Sequence, residues 1–242
     1  MEKLAAVITT VLVIFFGLPS QLLAQSYPEW QLSLQFPPRD SEFFPGKRQS
    51  DGRGEARTPC PKAFPLPTKM TALMPPNNLV TTVAAHPALF IYIPETGQFT
   101  EAELAVYDAE DNRVYQKNLI LPNTPGILRL RLPETVSLEI GKNYRWYFSL
   151  MCDPDERSRE PFVQGWFQRT ELNPELENML EQESDLLEQA LLYSQAKIWH
   201  ETLTLLADLR ESNPAEWEEL LKSVELEDIS RQPFVDCCTV DN

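Results

Sequence analysis

GKNYRWYFSLMCDPDERSREPFVQGWFQRT, residues Gly141 to Thr170, carries the plainest strand signal in the chain. From Tyr144 the residues alternate in character. Tyr144, Trp146, Phe148, Leu150 and Cys152 fall on one side, and Arg145, Tyr147, Ser149 and Met151 on the other. A period of two is that of an extended strand, whose successive side chains point to opposite faces. The first set is large and apolar, so it is expected in a core. The second is mixed, so it is expected half exposed. Gly141 allows the tight turn that starts the strand, and Asp153-Pro154-Asp155 ends it. A second strand is expected over Phe162 to Arg169. It is apolar on both parities (Phe162 and Trp166, Val163 and Phe167), a pattern that predicts cover on both sides from the helices that follow. Aromatic stripes in strands chiefly pack. Tyr147 and Trp166 are the two rings of this stretch on which a sugar or peptide could stack.

Upstream, strand-like runs recur between turn signals. They span Thr68 to Met74, Leu79 to Val83, Ala88 to Ile93, Glu101 to Tyr107, Arg113 to Leu119 and Gly126 to Leu132. Pro75-Pro76-Asn77-Asn78 and Asp108 to Asn112 read as turns, and Pro133 stops the last run. With the two strands above, about seven or eight short strands predict an antiparallel immunoglobulin-like β-sandwich over residues 58–170.

After Thr170 the period becomes helical. Asn173-Pro174 is a cap followed by proline at the first helical position. One helix is expected from Pro174 to about Ser194, with Leu187, Ala190, Leu191 and Ser194 on one stripe. A second runs from about Lys197 to Arg210, with Ile198, Thr202, Leu205 and Leu209 on one stripe and Trp199, Leu203 and Leu206 beside it. A third, short helix opens at Asn213-Pro214, where Glu216 completes a capping-box-like pattern; Trp217, Leu220, Leu221 and Val224 follow at helical spacing. The fold class expected is therefore α+β: the sandwich, then an α-helical hairpin with a third short helix over residues 171–242, docked on the β domain.

The 242 residues carry a formal net charge of -15. That removes the usual electrostatic basis for binding nucleic acid and disfavours docking on an anionic membrane. Residues 1–24 read as a signal peptide: Lys3, an apolar run from Ala5 to Gly17, and a cleavage site after Ala24. Residues 25–57 read as a flexible linker. The expected location is periplasmic or secreted, with no membrane insertion after cleavage. Export to an oxidising compartment favours disulfides among Cys60, Cys152, Cys237 and Cys238. Four cysteines allow three full pairings, and adjacent ones rarely bond each other. Cys60 with Cys152 is the preferred pair; the alternative ties Cys237 or Cys238 back to the body.

No catalytic chemistry announces itself. His86 and His200 are the two histidines, and neither has metal-ligand neighbours at short spacing. There is no nucleophile elbow, P-loop or dinucleotide fingerprint. Asp108, Glu110, Asp111 and Asn112 gather oxygens in one turn but lack the glycine and distal glutamate of a calcium loop. His200, beside Trp199, reads as a surface or packing residue. No catalytic, cofactor-binding or metal residue is expected.

Two resemblances add to this reading. The helical region is similar to one tetratricopeptide repeat, with Ala190, Tyr193, Trp199, Leu206 and Pro214 at its small, aromatic, aromatic, apolar and proline positions. It departs at Lys197, Thr202 and Leu209, where small residues are usual. The chain from about Gly54 also resembles a family of exported cyanobacterial proteins catalogued as domain of unknown function 928. The residues that carry this are GRGEARTPC up to Cys60, TALMP from Thr71, YRWYFSLMC to Cys152, PFVQGW from Pro161 and IWHETLTLLADLR from Ile198. That resemblance implies export and a shared fold, and no reaction or cofactor. The function expected is a non-enzymatic envelope protein that binds or scaffolds another envelope protein. Its alternative is a carbohydrate- or small-ligand-binding module, and a hydrolase is the least favoured. Tyr147, Trp166, Trp199 and Trp217 are the candidates for contact with a protein partner or a glycan.

Overall fold

The alternation from Tyr144 onward becomes β8, Asn143–Leu150, with Tyr144, Trp146, Phe148 and Leu150 buried and the intervening residues half-buried. The computed structural model describes residues 36, 49–52, 69–76, 79–96, 100–151 and 160–237. The strands before β8 are β1 (Gln49–Gly52), β2 (Thr71–Ala72), β3 (Leu79–Thr82), β4 (Ala88–Ile93), β5 (Glu101–Asp108), β6 (Arg113–Ile120) and β7 (Gly126–Arg131); β9 (Phe162–Arg169) follows. They form two sheets. The larger runs β1-β9-β8-β5-β6, with β3 also on β9; the smaller runs β2-β4-β7. β1 pairs antiparallel with the first half of β9, Gly52 opposite Phe162, and β3 pairs parallel with the second half, Leu79 opposite Trp166. β4, apolar throughout, is buried along its whole length.

Three expectations change. β9 is buried on one parity only: Val163, Gly165 and Phe167 face inward, while Phe162, Gln164 and Trp166 are half-buried. Its second apolar parity lies on the outer face of the sheet, beneath side chains of β8 rather than beneath helices. The single helix expected from Pro174 to Ser194 is two, α1 (Pro174–Gln182) and α2 (Leu186–Gln195). Asp185 is the reason. Its carboxylate accepts from the Leu187 and Glu188 N–H groups at 2.7 and 3.3 Å, capping a new helix where the old one would have continued. Within residues 25–57, read as a linker, Phe36 is buried against the core and Gln49–Gly52 forms β1. The signal peptide expected over residues 1–24 lies outside the described residues, as do Cys60, Cys152 and Cys238.

The remaining helices are α3 (Trp199–Asp208) and α4 (Pro214–Ser223), followed by a short 3-10 turn at Glu227–Ile229. At Asn213 no side-chain cap bond forms, so the capping box expected there is absent. Among the described residues no helix is long and apolar enough to cross a membrane.

Residues 33–242 form one compact unit. One continuous buried cluster joins both sheets to α2, α3 and α4. Trp199 is fully buried, and its indole N–H donates to the Leu73 carbonyl at 3.0 Å; the Phe36 ring meets it edge-on at 4.9 Å. Trp217 donates to the Ser230 carbonyl at 2.8 Å. Arg129 of β7 pairs with Asp208 of α3. Near the C-terminus, Ile127 bridges to Phe234, whose ring lies 5.7 Å from that of Trp217.

Gly165 shows how tight the inner face is. It sits opposite Trp146, and a Cβ there would lie 2.6 Å from the Met74 sulfur and 2.7 Å from the Trp146 indole nitrogen. A thioether can swing aside; a fully packed indole cannot. Gly165→Ala is expected to lower unfolding stability by about 1–3 kcal/mol through overpacking. Urea denaturation of the two proteins measures it, and an unchanged midpoint would mean Trp146 has room to move.

Candidate functional site

The outer face of the larger sheet holds the rings singled out from the sequence. Tyr147 on β8 meets Tyr107 edge-on at 5.9 Å and Phe162 at 5.7 Å. The Arg145 guanidinium lies 5.1 Å from the Tyr147 ring centre and 5.3 Å from that of Trp166. The same guanidinium pairs with Asp111 at 2.5 Å. Burial pushes the Tyr147 phenol above its ordinary value. A cation held over two rings is attracted by their negative faces, so the chain itself occupies the surfaces on which a sugar would stack. Tyr147 and Trp166 thus come together, but in a cluster closed by Arg145. Trp199 and Trp217 are 0% and 1% exposed, with both indole N–H groups used internally. Neither is accessible to a partner.

The turn Asp108 to Asn112 also satisfies itself. Asp108 accepts from the Glu110 and Asn112 N–H groups and from the Asn112 side chain, at 3.0, 2.8 and 2.9 Å. The Asn112 side chain, first among these, holds the Asp108 carboxyl below its ordinary range. Among the described residues no group of three His, Cys, Asp or Glu side chains is placed to hold a metal ion.

A different site emerges where the β3–β4 connection meets α2 and α3. A cavity of about 200 Å³ is lined there by Ala84, His86 and Pro87 from the connection, Ala88 at the start of β4, Arg131 at the end of β7, Gln189 and Tyr193 from α2, and His200, Glu201, Thr204 and Leu205 from α3. Local sequence explains the placement. Trp199 anchors the first turn of α3 to Leu73, so the next two residues are carried against the β3–β4 connection.

His200 is 6% exposed, with its Nδ1 3.0 Å from the Ala88 carbonyl and the Phe167 ring edge-on at 5.7 Å. Burial pushes its pKa down to about 4, outweighing the opposing effect of the Ala88 bond. The ring is therefore neutral at neutral pH. A carbonyl oxygen only accepts, so the proton sits on Nδ1 and Nε2 bears a lone pair. Glu201 is gripped through one oxygen: Oε1 accepts from the Thr82 hydroxyl at 2.6 Å and from the Val83 and Ala84 N–H groups at 3.0 and 2.9 Å. Burial raises the Glu201 pKa, against the lowering effect of these bonds. The Tyr193 phenol is raised too, first by burial and then by the Glu201 charge.

Three lining residues each hold a buried polar atom with no hydrogen-bond partner in the protein: His86 Nδ1, His200 Nε2 and Glu201 Oε2. They are three of the seven such atoms among the described residues, and an unpaired buried polar atom costs about 1–3 kcal/mol. Their concentration on one cavity marks the site. As a catalytic base His200 is poor, because a pKa of about 4 leaves little proton affinity at neutral pH.

Sequence reasoning considered His86 and His200 and missed their convergence. It also missed Glu201, Tyr193, Gln189, Thr204 and Arg131. Residues 82–88 and 189–205 meet only in the fold. The one local signal was a His-Glu pair set between the apolar residues Ile198, Trp199 and Leu203.

Taken together, the chain is a mixed α+β protein with two sheets, four α-helices among its described residues, and a cavity at their junction lined by apolar side chains and a few polar ones. It belongs to the family described as Domain of Unknown Function (DUF928), whose model matches residues 49–234. No curated protein matches it.

Proposed function

We propose that this is an exported, non-enzymatic binding protein that takes a small polar ligand into the cavity between the β3–β4 connection and helices α2 and α3. The observation that carries this reading is the set of unpartnered buried atoms on His86, His200 and Glu201, three residues that line one space of about 200 Å³. Pockets that bind small molecules combine an apolar wall with a few convergent polar groups; here Ala84, Pro87, Ala88 and Leu205 supply the wall. The test is a methyl NMR screen of residues 25–242 against a small-molecule library. Hits are expected to shift the methyl signals of Ala84, Ala88, Thr204 and Leu205. Hits that perturb only other methyls would refute the assignment.

The finer architecture belongs to the same proposal. The order β3-β9-β8-β5-β6 against β2-β4-β7, with β3 parallel to β9, supports an immunoglobulin-like sandwich of the variable type. Buried Ala190, Trp199 and Leu206 support reading α2 and α3 as a tetratricopeptide-like hairpin. Export rests on the apolar run from Ala5 to Gly17.

For the disulfides, the geometry favours the alternative pairing. The Cys237 sulfur lies 3.5 Å from the Ile120 carbonyl. Ile120 pairs with Glu101, and Glu101 accepts from the Met151 N–H; Cys152 is the next residue in the chain. We read Cys152 as the partner of Cys237. Peptide mapping without reductant is expected to yield a Cys152–Cys237 peptide, and a Cys60–Cys152 peptide would overturn this pairing.

A protein partner is the second reading, favoured by α1. This helix has no buried residue, and Met179 and, just beyond it, Leu186 are 47% and 46% exposed. An envelope protein retained by the native chain and lost by a Met179→Ser, Leu186→Ser variant would support it; equal retention by both would count against it.

A further inference from the structure

We infer that the cavity selects a neutral polyhydroxy ligand of about monosaccharide size, with His200 Nε2 as an obligate acceptor for one of its hydroxyls. The inference deepens the proposed function and rests on the cavity being the binding site. The acceptor role follows from the Ala88 bond: it fixes the proton on Nδ1, so the unpaired Nε2 can only receive. A ligand must therefore bring a donor to that point.

Glu201 sets a second condition. Its Oε1 is saturated by three donors, which leaves Oε2 alone to meet a ligand. As a carboxylate Oε2 accepts; as a carboxylic acid it donates. A hydroxyl is complementary to either form, since it gives one proton and offers two lone pairs. An ammonium ion is complementary only to the carboxylate, and it would enter a space that also holds the Arg131 cation. An anion would gain from the Arg131 cation, but at His200 Nε2 it would set its own lone pairs against another lone pair, with no proton to give. A hydroxyl also suits the third unpaired atom, His86 Nδ1, in either tautomer.

Two further features agree. Tyr193 and Thr204 place hydroxyl-bearing side chains in the lining, able to give or take a bond as the ligand requires. Pro87, Ala88 and Leu205 form an apolar wall for the C–H face of a sugar ring. The volume of about 200 Å³ lies below the range of about 300–1,000 Å³ usual for ligand pockets, which limits the ligand to about ten heavy atoms.

The experiment is calorimetric titration of residues 25–242 with three sets of similar size: neutral monosaccharides and inositols, primary amines, and free amino acids. His200→Asn is titrated alongside, because asparagine can still donate to Ala88 while lacking the second ring nitrogen. His86→Phe is the second variant, for the case where His200→Asn does not fold; it keeps a ring of similar size and removes the unpaired Nδ1. Saturable binding of a neutral polyol, weakened about tenfold or more by either folded variant, is the expected result. Binding of amines or amino acids alone, sensitive to the same variants, would overturn the polyol assignment and leave the cavity as the site. Polyol binding unaffected by both variants, or no binding in any set, would overturn the assignment and the cavity reading together.

Discussion

Trp199→Ala is expected to lower the free energy of unfolding by about 3–5 kcal/mol, the cost of truncating a fully buried aromatic side chain. The indole is 0% exposed, lies edge-on to Phe36 and ties α3 to the β region through the Leu73 carbonyl. Removing it leaves a cavity at the start of α3 and strips a buried carbonyl of its donor. Trp199→Phe should cost less, because most of the volume remains; the unpaired Leu73 oxygen then accounts for about 1–3 kcal/mol. Urea denaturation of the three proteins at neutral pH orders them. A loss below about 1 kcal/mol for the alanine variant would place Trp199 on a contact surface, as the sequence suggested, and remove the anchor that positions His200 and Glu201.

The pH dependence of stability should carry a second large effect. In the folded protein burial holds the His200 pKa at about 4, against 6.5 for an exposed histidine. Between those values the unfolded chain binds a proton that the folded chain refuses. The stability linked to His200 is thus present in full above pH 6.5 and is lost as pH falls toward 4. At most about 3 kcal/mol is at stake, taking 1.36 kcal/mol per unit of pKa. Glu201 runs the other way. Its folded value is raised, so its contribution is present below the ordinary carboxyl range and lost as pH rises through the folded value. His86, Arg131 and Tyr193 face the same cavity. Comparing native protein with His200→Asn cancels these shared terms to first order. The native chain is expected to lose about 3 kcal/mol more than the variant between pH 6.5 and 4. Parallel pH profiles would mean that His200 is solvated and that its Nε2 is not an orphaned lone pair.

Much of the architecture could be read in advance because strand alternation is a local signal. Tyr144 to Leu150 told their inward from their outward residues directly. β4 was legible as a fully buried run, and Asn173-Pro174 marked the first turn of α1. Failures came where two local rules competed. In α1 and α2 the helical period was continuous, and the capping preference of Asp185 overrode it. In β9 two apolar parities suggested two buried faces, but a cation over Trp166 supplied the outer cover, which no periodicity encodes. The candidate site fared worst. Aromatic residues drew attention as a recognition surface, yet Trp199 and Trp217 are buried and Tyr147 is enclosed by Arg145, Tyr107 and Phe162. The cavity joins residues more than a hundred positions apart, such as His86 and His200. Its signature is a set of missing hydrogen bonds, which exists only once the chain has folded.

The protonation state of one nitrogen therefore bears most of the weight. Nitrogen-15 NMR of histidine-labelled protein at neutral pH reads it directly. The account predicts a protonated Nδ1 and a bare, pyridine-type Nε2 for His200, whose signal shifts toward the hydrogen-bonded range when a cavity ligand saturates the protein. A protonated Nε2, or a bare Nε2 that no cavity ligand moves, would contradict it.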